Sequence, residues 1–288
     1  MDNLKGMAWM TLAMLAFALA DMTIVFMSRD LPVGQIVFLL GTGGTILFGL
    51  WAIVQGHRWW SPVFLMRSVM VRNAGEVAAA IAFITALSLI PLSQLSAVIQ
   101  ANPLLVTLGA ALFLGERVGW RRWTAIIVGL IGVLIIIRPV GAGFDANILW
   151  AVAAAIGLSL RDIATRPVPK TVPTTLLASY SFASVSVAGL VLMPFAGGFA
   201  PIPVSAIGFL FGCILASMVA VFAITAAMRV GEVAVVTPFR YTRLVFAFLI
   251  AVYIFGETLD VWTLVGVSIV VATGLYTLWR EALRKRPA

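Results

Sequence analysis

One face of an apolar segment at residues 92–113 carries side chains that can form hydrogen bonds. Its polar residues follow one another at steps of 3, 4 and 7 residues: Ser93, Ser96, Gln100 and Thr107. These steps place them on one side of a helix. Gln100 would lie about 12 Å from the nearer end of a membrane span, where its amide needs partners. The stripe predicts a cavity wall that binds solute or a helix interface joined by small polar groups; for Gln100 we favour binding.

A second polar group lies in the preceding apolar segment, residues 66–89, and contains Arg72, Asn73 and Glu76. Arg72 and Glu76 are one helical turn apart and can pair. Glu76 would lie about 15 Å from the inner end of the span, near the bilayer midplane. A carboxylate there can bind a substrate ammonium group, hold a coupled proton, or form an ion pair with Arg72 or Arg240 that only fixes helix register. Asn73 and Glu76 are candidate substrate-binding residues, and Glu76 is the first choice for mutagenesis.

A third group, Thr237, Arg240 and Tyr241, shares a face of the segment at residues 233–255. Arg240 can meet a substrate carboxylate or Glu76. The Tyr241 ring can stack on an apolar solute while its hydroxyl donates a hydrogen bond, although a packed core tyrosine is the alternative. We therefore expect Thr237, Arg240 and Tyr241 to bind substrate together with Ser96, Gln100, Asn73 and Glu76.

Cavity or gate candidates form a further set: Met14, Phe17, Asp21, Phe83 and Ser217. Asp21 shares a helix face with Met14 and Phe17 and can line an outer mouth. For Asp21, as for Asp162 beside Arg161 and Arg166, we favour a structural ion pair.

Several other polar residues and prolines have structural explanations. Arg243 is expected to be a structural partner or a snorkelling head. Glu116 and Glu257 follow glycines and are expected to cap turns or helix ends. Pro103 and Pro238 lie within their segments and can kink them.

Composition excludes a water-soluble enzyme. The chain has 288 residues, of which 62% are hydrophobic and 10% charged, whereas soluble domains are about half apolar and a quarter charged. At about 20 residues a span this length holds roughly ten membrane helices. The single His57 and the single Cys213 cannot form a zinc site, a nucleophile pair or a disulfide within the chain. We predict no metal and no cofactor.

Ten apolar segments are predicted, at about residues 7–27, 32–54, 66–89, 92–113, 119–138, 147–166, 173–194, 203–228, 233–255 and 261–279. Their length favours an all-α integral membrane protein over a barrel. Of the 19 Lys and Arg residues, 14 lie on one side of the predicted membrane and 2 on the other. This bias places both termini in the cytoplasm of a bacterial-type inner membrane. The same basic loops account for the net charge of +8, so we predict no nucleic acid as a partner. The tail at residues 280–288 is expected to contact anionic lipid.

An internal repeat appears when the chain is shifted by 141 residues. Trp9 then falls on Trp150, Asp21 on Asp162 and Gly115-Glu116 on Gly256-Glu257. The same offset places Gln100 on Tyr241 and Ser96 on Thr237. Glu76 falls on Ser217, so the two halves are chemically unequal there. We predict two five-helix repeats at residues 1–141 and 142–279. Because five is odd, the second would be inverted, as in secondary transporters that bind substrate near the midplane.

Two stretches carry a family resemblance. The second-half stretch resembles EamA-type transporters of the drug/metabolite transporter superfamily; it runs from Gly231-Glu232 through Tyr241 and includes Phe255-Gly256-Glu257. Its first-half partner resembles them as well and runs from Pro91-Leu92 through Asn102-Pro103, with Leu114-Gly115-Glu116. Within it, the chain is similar to the YddG-type exporters of aromatic amino acids. The resemblance covers the whole chain.

The resemblance implies ten helices in two inverted repeats around a central cavity. It also implies no enzyme activity, and outward transport of aromatic or neutral amino acids or related metabolites by alternating access. Three alternatives stay open: another metabolite or drug-like solute, carried in either direction; an integral-membrane enzyme; and a scaffold subunit. The enzyme is disfavoured because His, Asp and Cys residues do not cluster at one membrane face.

Overall fold

Every regular element in the described part of the protein is a helix. A computed structural model describes residues 2–113, 115, 119–138, 144–169, 171–230 and 233–285. Glu116, the Gly231-Glu232 pair, the predicted repeat boundary at residue 141 and Arg286 of the basic tail lie outside these residues.

Long apolar runs become helices because a helix satisfies every backbone N–H and C=O internally, as a bilayer requires. Six helices occupy the first half: α1 Asn3–Met27, α2 Val33–Val54, α3 Arg67–Leu89, α4 Leu92–Ile99, α5 Asn102–Phe113 and α6 Trp120–Ile137. Six more follow: α7 Ile148–Thr165, α8 Thr174–Leu192, α9 Val204–Val230, α10 Val233–Val236, α11 Thr242–Tyr253 and α12 Val261–Lys285. Short 3-10 helices cover Pro62–Leu65, Met193–Phe195 and Thr237–Tyr241.

Nine segments of the described part are long and apolar enough to cross a membrane, with α4 and α5 counted together as one. A tenth apolar stretch, from Val233 to Tyr253, is divided between α10, a 3-10 helix and α11, so no single helix in it reaches spanning length. The predicted all-α fold with ten membrane segments is confirmed.

The chain forms two compact units, and each takes residues from both halves of the sequence. Unit 1 contains Met1–Met22, Ile90–Leu149 and Val219–Ala288, and unit 2 contains Thr23–Leu89 and Trp150–Met218. Unit 1 therefore holds most of α1 together with α4–α6 and α10–α12. Unit 2 holds α2, α3, α8 and most of α7 and α9.

Glycines allow close helix packing inside unit 2. A methyl group added at Gly41 of α2 or at Gly189 of α8 would collide with the backbone of the facing helix, at Ser186 and Phe38 respectively. The hydroxyls of Thr42 and Ser186 share a hydrogen bond of 2.7 Å between the same helices. Small residues with such polar groups are what join helices in a membrane, where apolar side chains alone have no preference for protein over lipid.

Unit 1 has a matching close approach between α6 and α12. A methyl group added at Gly132 would lie 2.9 Å from the carbonyl oxygen of Gly266, and one added at Gly266 would lie 2.6 Å from that of Gly132. Near the same ends of these helices, Arg138 pairs with Asp260, and Asp260 also accepts the N–H of Thr263 in the first turn of α12 at 3.0 Å. These contacts hold α6 and α12 together along one side of unit 1.

Candidate functional site

The fourth span of unit 1 is interrupted at its middle. The helix α4 ends at Ile99, Gln100 occupies its C-cap, and α5 begins at Asn102. The N–H of Ala101 donates to Val98 O at 3.0 Å, a tightened final turn. Pro103 has no N–H to offer the carbonyl of Ile99, and its ring disfavours a continuous helix there. The sequence predicted a kink at Pro103, and the structure instead interrupts the helix at Gln100, three residues earlier.

The ninth span of unit 1 is also interrupted. Thr237–Tyr241 form a 3-10 helix with Pro238 in its first turn, and α11 starts at Thr242. The missing N–H of Pro238 removes one α-helical hydrogen bond, and the tighter helix accommodates the loss. Under the predicted offset of 141 residues, this interruption corresponds to residues 96–100, which include the end of α4. Both halves thus carry a break in corresponding spans.

The two breaks contact each other through Gln100 and Tyr241. The Gln100 amide nitrogen donates to the Tyr241 carbonyl oxygen at 3.4 Å, and both residues are 8% exposed. Gln100 therefore connects two helix ends, and its place on a cavity wall stays a prediction. The Tyr241 hydroxyl lies against Gly274 of α12, where an added methyl group would collide with it. Among the described residues, this hydroxyl is one of two buried side-chain polar atoms that have no hydrogen-bond partner.

The other predicted residues of this region differ in exposure. Ser96 of α4 is buried, Thr237 is half-buried, and Arg240 is exposed. Because successive turns of a 3-10 helix eclipse, Thr237 and Arg240 lie on the same edge of their helix. The break in the ninth span therefore presents a hydroxyl and a guanidinium group together.

Residues predicted to line a gate lie on α1 beside the ninth span. Met14 belongs to a buried cluster that includes Val236, and Phe17 and Phe239 pack against that cluster. Asp21 is 4% exposed, and its carboxylate accepts a hydrogen bond of 2.7 Å from Arg243.

The Arg243 guanidinium also lies 5.2 Å from the centre of the Phe17 ring. Asp21 is thus buried in an ion pair and does not stand open at an outer mouth, in agreement with the favoured structural interpretation of Asp21 and Arg243.

In unit 2, the ion pair of Glu76 forms with Arg161 of α7 and not with Arg72. The Arg161 Nη1 atom lies 3.4 Å from Glu76 Oε1, while its Nε and Nη2 atoms bind Asp162 Oδ1 at 2.9 and 2.8 Å. Asp162 therefore has the expected arginine partner, and Glu76 is the more loosely held of the two carboxylates. Gly75 permits this arrangement because an added methyl group would lie 2.8 Å from the backbone nitrogen of Arg161.

Arg72 is held by uncharged groups of unit 2. Its guanidinium donates to Thr165 Oγ1 at 3.1 Å, to the carbonyl of Leu177 at 3.2 Å, to Asn73 Oδ1 at 3.4 Å and to Ser181 Oγ. Asn73 is 5% exposed and serves this network. Pairing of Arg72 with Glu76 was one alternative that their spacing allowed, and the structure shows other partners for both because these residues pack against α7 and α8.

Ser93 and Thr107, the other two residues of the predicted polar stripe, have structural partners in unit 1. Glu257 accepts hydrogen bonds from the N–H groups of Leu92 and Ser93 at 2.8 and 3.1 Å and from Ser93 Oγ at 2.5 Å. It caps α4, where free N–H groups favour a negative charge. Ser93 is thus committed to this cap, and Thr107 donates to the Pro103 carbonyl at 2.8 Å.

Two gate candidates, Phe83 of α3 and Ser217 of α9, are half-buried in unit 2.

Within the described part of the chain, no group of three or more His, Cys, Asp or Glu residues could hold a metal ion.

Comparison with known proteins gives a family match over most of the chain. The sequence model described as the EamA-like transporter family matches twice, at residues 4–138 and 146–279. A solved protein structure resembles this one with a TM-score of 0.65 at 20% identity, over 97% of this chain and 99% of that chain. At that identity the likeness shows the fold alone.

Relatives with known roles are transporters and not enzymes. An S-adenosylmethionine uptake transporter of Rickettsia conorii is 30% identical over 68% of this chain and 66% of its own length, just under two thirds of that relative. A riboflavin transporter of Rhizobium johnstonii is 29% identical over 98% of this chain and 93% of its own length. A pseudopaline exporter of Pseudomonas aeruginosa is 28% identical over 58% of this chain and 60% of its own length.

Proposed function

Because this chain belongs to the EamA-like transporter family, we propose that it carries an aromatic or neutral amino acid, or a related small metabolite, outward across the membrane. The substrate binds near the midplane at the paired breaks of unit 1. Transport proceeds by alternating access between two inverted repeats, residues 1–141 and 142–279.

The observation that supports this site is the contact between Gln100 and Tyr241 at two corresponding breaks. Interrupted helices at matching positions of two halves are the usual position of substrate sites in secondary transporters, because broken helices leave backbone groups free to bind. Ser96 and Thr237 add hydroxyl groups beside these backbone groups. A small polar solute that enters this site can thus replace its hydrogen bonds to water with hydrogen bonds to the protein, and no separate soluble binding domain is needed.

We assign a second role to Glu76 and Asn73 in unit 2. Glu76 has one long contact with Arg161, whereas Asp162 has two shorter ones. Glu76 can therefore leave Arg161 at lower cost and accept a proton or a substrate ammonium group. Asn73 holds Arg72 in place beside it. Phe83 and Ser217 stay candidates for the path that the substrate follows.

Reconstitution into liposomes tests the function. Purified protein would be assayed for exchange of labelled phenylalanine, leucine, S-adenosylmethionine and riboflavin, with empty liposomes as the control. We expect exchange of at least one amino acid or amino-acid derivative, and reduced exchange by Gln100→Ala. Absence of flux for every solute would reject the transport assignment, and normal flux by both Gln100→Ala and Glu76→Gln would reject the sites. A pH gradient that drives uptake in the wild type but not in Glu76→Gln would identify Glu76 as the coupling carboxylate.

Uptake of S-adenosylmethionine is a second candidate, favoured by the role of the Rickettsia conorii relative. S-Adenosylmethionine is an amino-acid derivative, so the same site could hold it. Cells that express the chain and depend on external S-adenosylmethionine would grow if the chain imports it. Growth in this assay would show uptake, and the proposed direction of transport would then be inward.

We also propose an inner-membrane location with both termini in the cytoplasm. The support is the distribution of Lys and Arg, 14 residues on one side against 2 on the other. Fusions of a fluorescent protein and of alkaline phosphatase to the C-terminus would test it. We expect fluorescence without phosphatase activity, and the reverse result would invert the topology.

A further inference from the structure

The connection between α2 and α3 leaves α2 through a defined turn. Gly56, with a φ of +82°, donates its N–H to the carbonyl oxygen of Ile53 at 2.8 Å. His57 donates its N–H to the carbonyl oxygen of Ala52 at 3.0 Å. These two bonds form a Schellman motif, which satisfies the last carbonyls of a helix and sets the direction of the chain that follows.

Trp59 holds the middle of this connection against α8. Its indole N–H donates to Ser179 Oγ at 2.7 Å, and its carbonyl oxygen accepts the Tyr180 hydroxyl at 2.6 Å. Its ring packs against a buried cluster that includes Tyr180 of α8 and Val69 of α3. The backbone around Trp59 is therefore held by two helices of unit 2, and the side chains beside Trp59 are presented from a fixed support.

Large apolar side chains of the same connection are nevertheless exposed. Trp60 is 86% exposed and Leu65 is 72% exposed, and Val54 at the end of α2 is 84% exposed. A tryptophan at the end of a membrane helix is suited to the boundary between hydrocarbon and headgroups, because its ring is apolar while its N–H can reach polar groups. These side chains therefore form an apolar surface at the ends of two spans.

Two arginines accompany this apolar surface. Arg58 lies in the connection and Arg67 is the first residue of α3, and both are exposed. The sequence contains no Asp or Glu between Asp30 and Glu76. Among the residues that the structure describes, neither arginine forms an ion pair. Their charges are thus available to an anion from outside the chain.

The combination of cations and apolar side chains favours a phospholipid over other anions. A guanidinium group can donate two parallel hydrogen bonds to the oxygens of a phosphate. A small soluble anion would bind Arg58 and Arg67 but would leave Trp60 and Leu65 in water. A lipid supplies both a phosphate and acyl chains, and basic residues beside a span attract the anionic lipids of the cytoplasmic leaflet.

We propose that the connection at residues 54–67 binds the headgroup of an anionic phospholipid, and we name it the lipid-binding loop. Arg58 and Arg67 bind lipid phosphate, while Trp60 and Leu65 enter the membrane boundary beside the acyl chains. The leaflet is the one on the side proposed to be cytoplasmic. This proposal does not depend on which solute the chain carries, because the lipid-binding loop contains none of the proposed substrate-binding residues.

Tryptophan fluorescence tests the position of Trp60. Wild type and Trp60→Phe would be reconstituted into vesicles of phosphatidylcholine and phosphatidylglycerol, and the difference between their emissions is the signal of Trp60. We expect phosphatidylglycerol brominated near the headgroup to quench this signal more strongly than brominated phosphatidylcholine at the same mole fraction. Aqueous acrylamide should quench it weakly. Deletion of the basic tail from residue 284 onward should leave the result unchanged, which separates the loop from the tail.

A titration in detergent tests the arginines. Added phosphatidylglycerol should raise the unfolding temperature of the wild type. The double variant Arg58→Gln/Arg67→Gln should need about 25-fold more of this lipid for the same rise, since each arginine contributes about fivefold. Without added lipid it should unfold as the wild type does, because both arginines are exposed. Lys5→Gln is the matched control, since it removes an exposed cation that already pairs with Asp2.

Four results would overturn the proposal while leaving solute transport untouched. The first two are equal quenching of Trp60 by the two brominated lipids and an unchanged titration in the double variant. The third is the same rise in unfolding temperature with inorganic phosphate, which would indicate a soluble anion. The fourth is a Trp60 signal that no brominated lipid quenches: quenching by acrylamide alone would place Trp60 in water, and protection from every quencher would indicate a covering protein, such as a second copy of this chain.

Discussion

Gln100 and Tyr241 lie 141 residues apart in the chain, and the side-chain amide of the first donates a hydrogen bond to the main-chain carbonyl of the second. This separation equals the offset at which the sequence matches itself. Two residues at equivalent positions of the two proposed repeats can contact each other only if both lie near the pseudo-twofold axis between the repeats. The contact therefore connects the proposed repeat to the proposed binding site.

Gln100→Leu removes this hydrogen bond at nearly constant volume. We expect a loss of about 0.6–2 kcal/mol of stability and a fall in exchange of about 3- to 10-fold, since the Tyr241 backbone would no longer be held. Thermal unfolding in detergent and liposome exchange would measure the two effects. Gln94→Leu makes the same change on another face of α4 and should alter neither. Equal effects of the two variants would contradict a specific role for Gln100.

Gly274→Ala places a methyl group where the Tyr241 hydroxyl now lies. The phenol must move, so we expect a stability loss of about 1–3 kcal/mol and lower exchange. Gly208→Ala is the control, because an added methyl group there meets nothing within 4 Å. Gly208→Ala should be neutral or raise stability, since alanine favours the helix over glycine. If Gly274→Ala unfolded at the wild-type temperature, the close packing of Tyr241 against α12 would be wrong.

Arg243→Gln leaves the buried Asp21 carboxylate without the guanidinium that binds it, whereas Asp21→Asn removes the carboxylate from a half-buried Arg243. Arg243→Gln should lose about 3–5 kcal/mol of stability and Asp21→Asn less, and the double variant should lose less than the sum because the Asp21 charge is then absent. Denaturation of the purified variants would give the four values of this cycle. Lys5→Gln, which breaks the exposed pair with Asp2, should have no measurable effect. Strict additivity would show that Asp21 and Arg243 do not interact.

Glu257→Ala removes the acceptor of three hydrogen bonds at the start of α4. The freed N–H groups should cost about 1–3 kcal/mol, seen as a lower unfolding temperature. Glu257→Gln keeps one acceptor oxygen, so its unfolding temperature should lie between those of the wild type and Glu257→Ala. Asp145→Asn alters an exposed carboxylate that accepts the N–H of Asn147 and should change little. Wild-type stability of Glu257→Ala would remove its role as a cap.

The position of the spans could be predicted from the sequence because hydrophobic length alone selects a membrane helix. The predicted segment 203–228 became α9 at Val204–Val230, for example. The first and last helices extend beyond their predicted apolar limits, to Asn3 and to Lys285. A helix continues past the hydrocarbon where polar side chains tolerate it, and hydropathy has no signal there.

The partners of charged residues could not be predicted from local spacing. The spacing of Arg72 and Glu76 indicated a pair, yet Glu76 meets Arg161, 85 residues away. Arg243 likewise meets Asp21 at a separation of 222 residues. Such pairs depend on which helices touch and at what rotation. Gly274 gave no signal either, because its importance comes from the tyrosine packed against it. Pro103 and Pro238, by contrast, indicated where the spans are interrupted.

Because each compact unit takes residues from both halves of the chain, the order of synthesis sets the order in which the units can be completed. Every residue of unit 2 exists once Met218 has been added to the growing chain, whereas unit 1 still lacks everything from Val219 onward. At that stage α4 has been made without α11, and α6 without α12. The last quarter of translation therefore supplies Arg240 and Tyr241, and a product terminated before Arg240 would lack the part of the proposed binding site that the ninth span contributes.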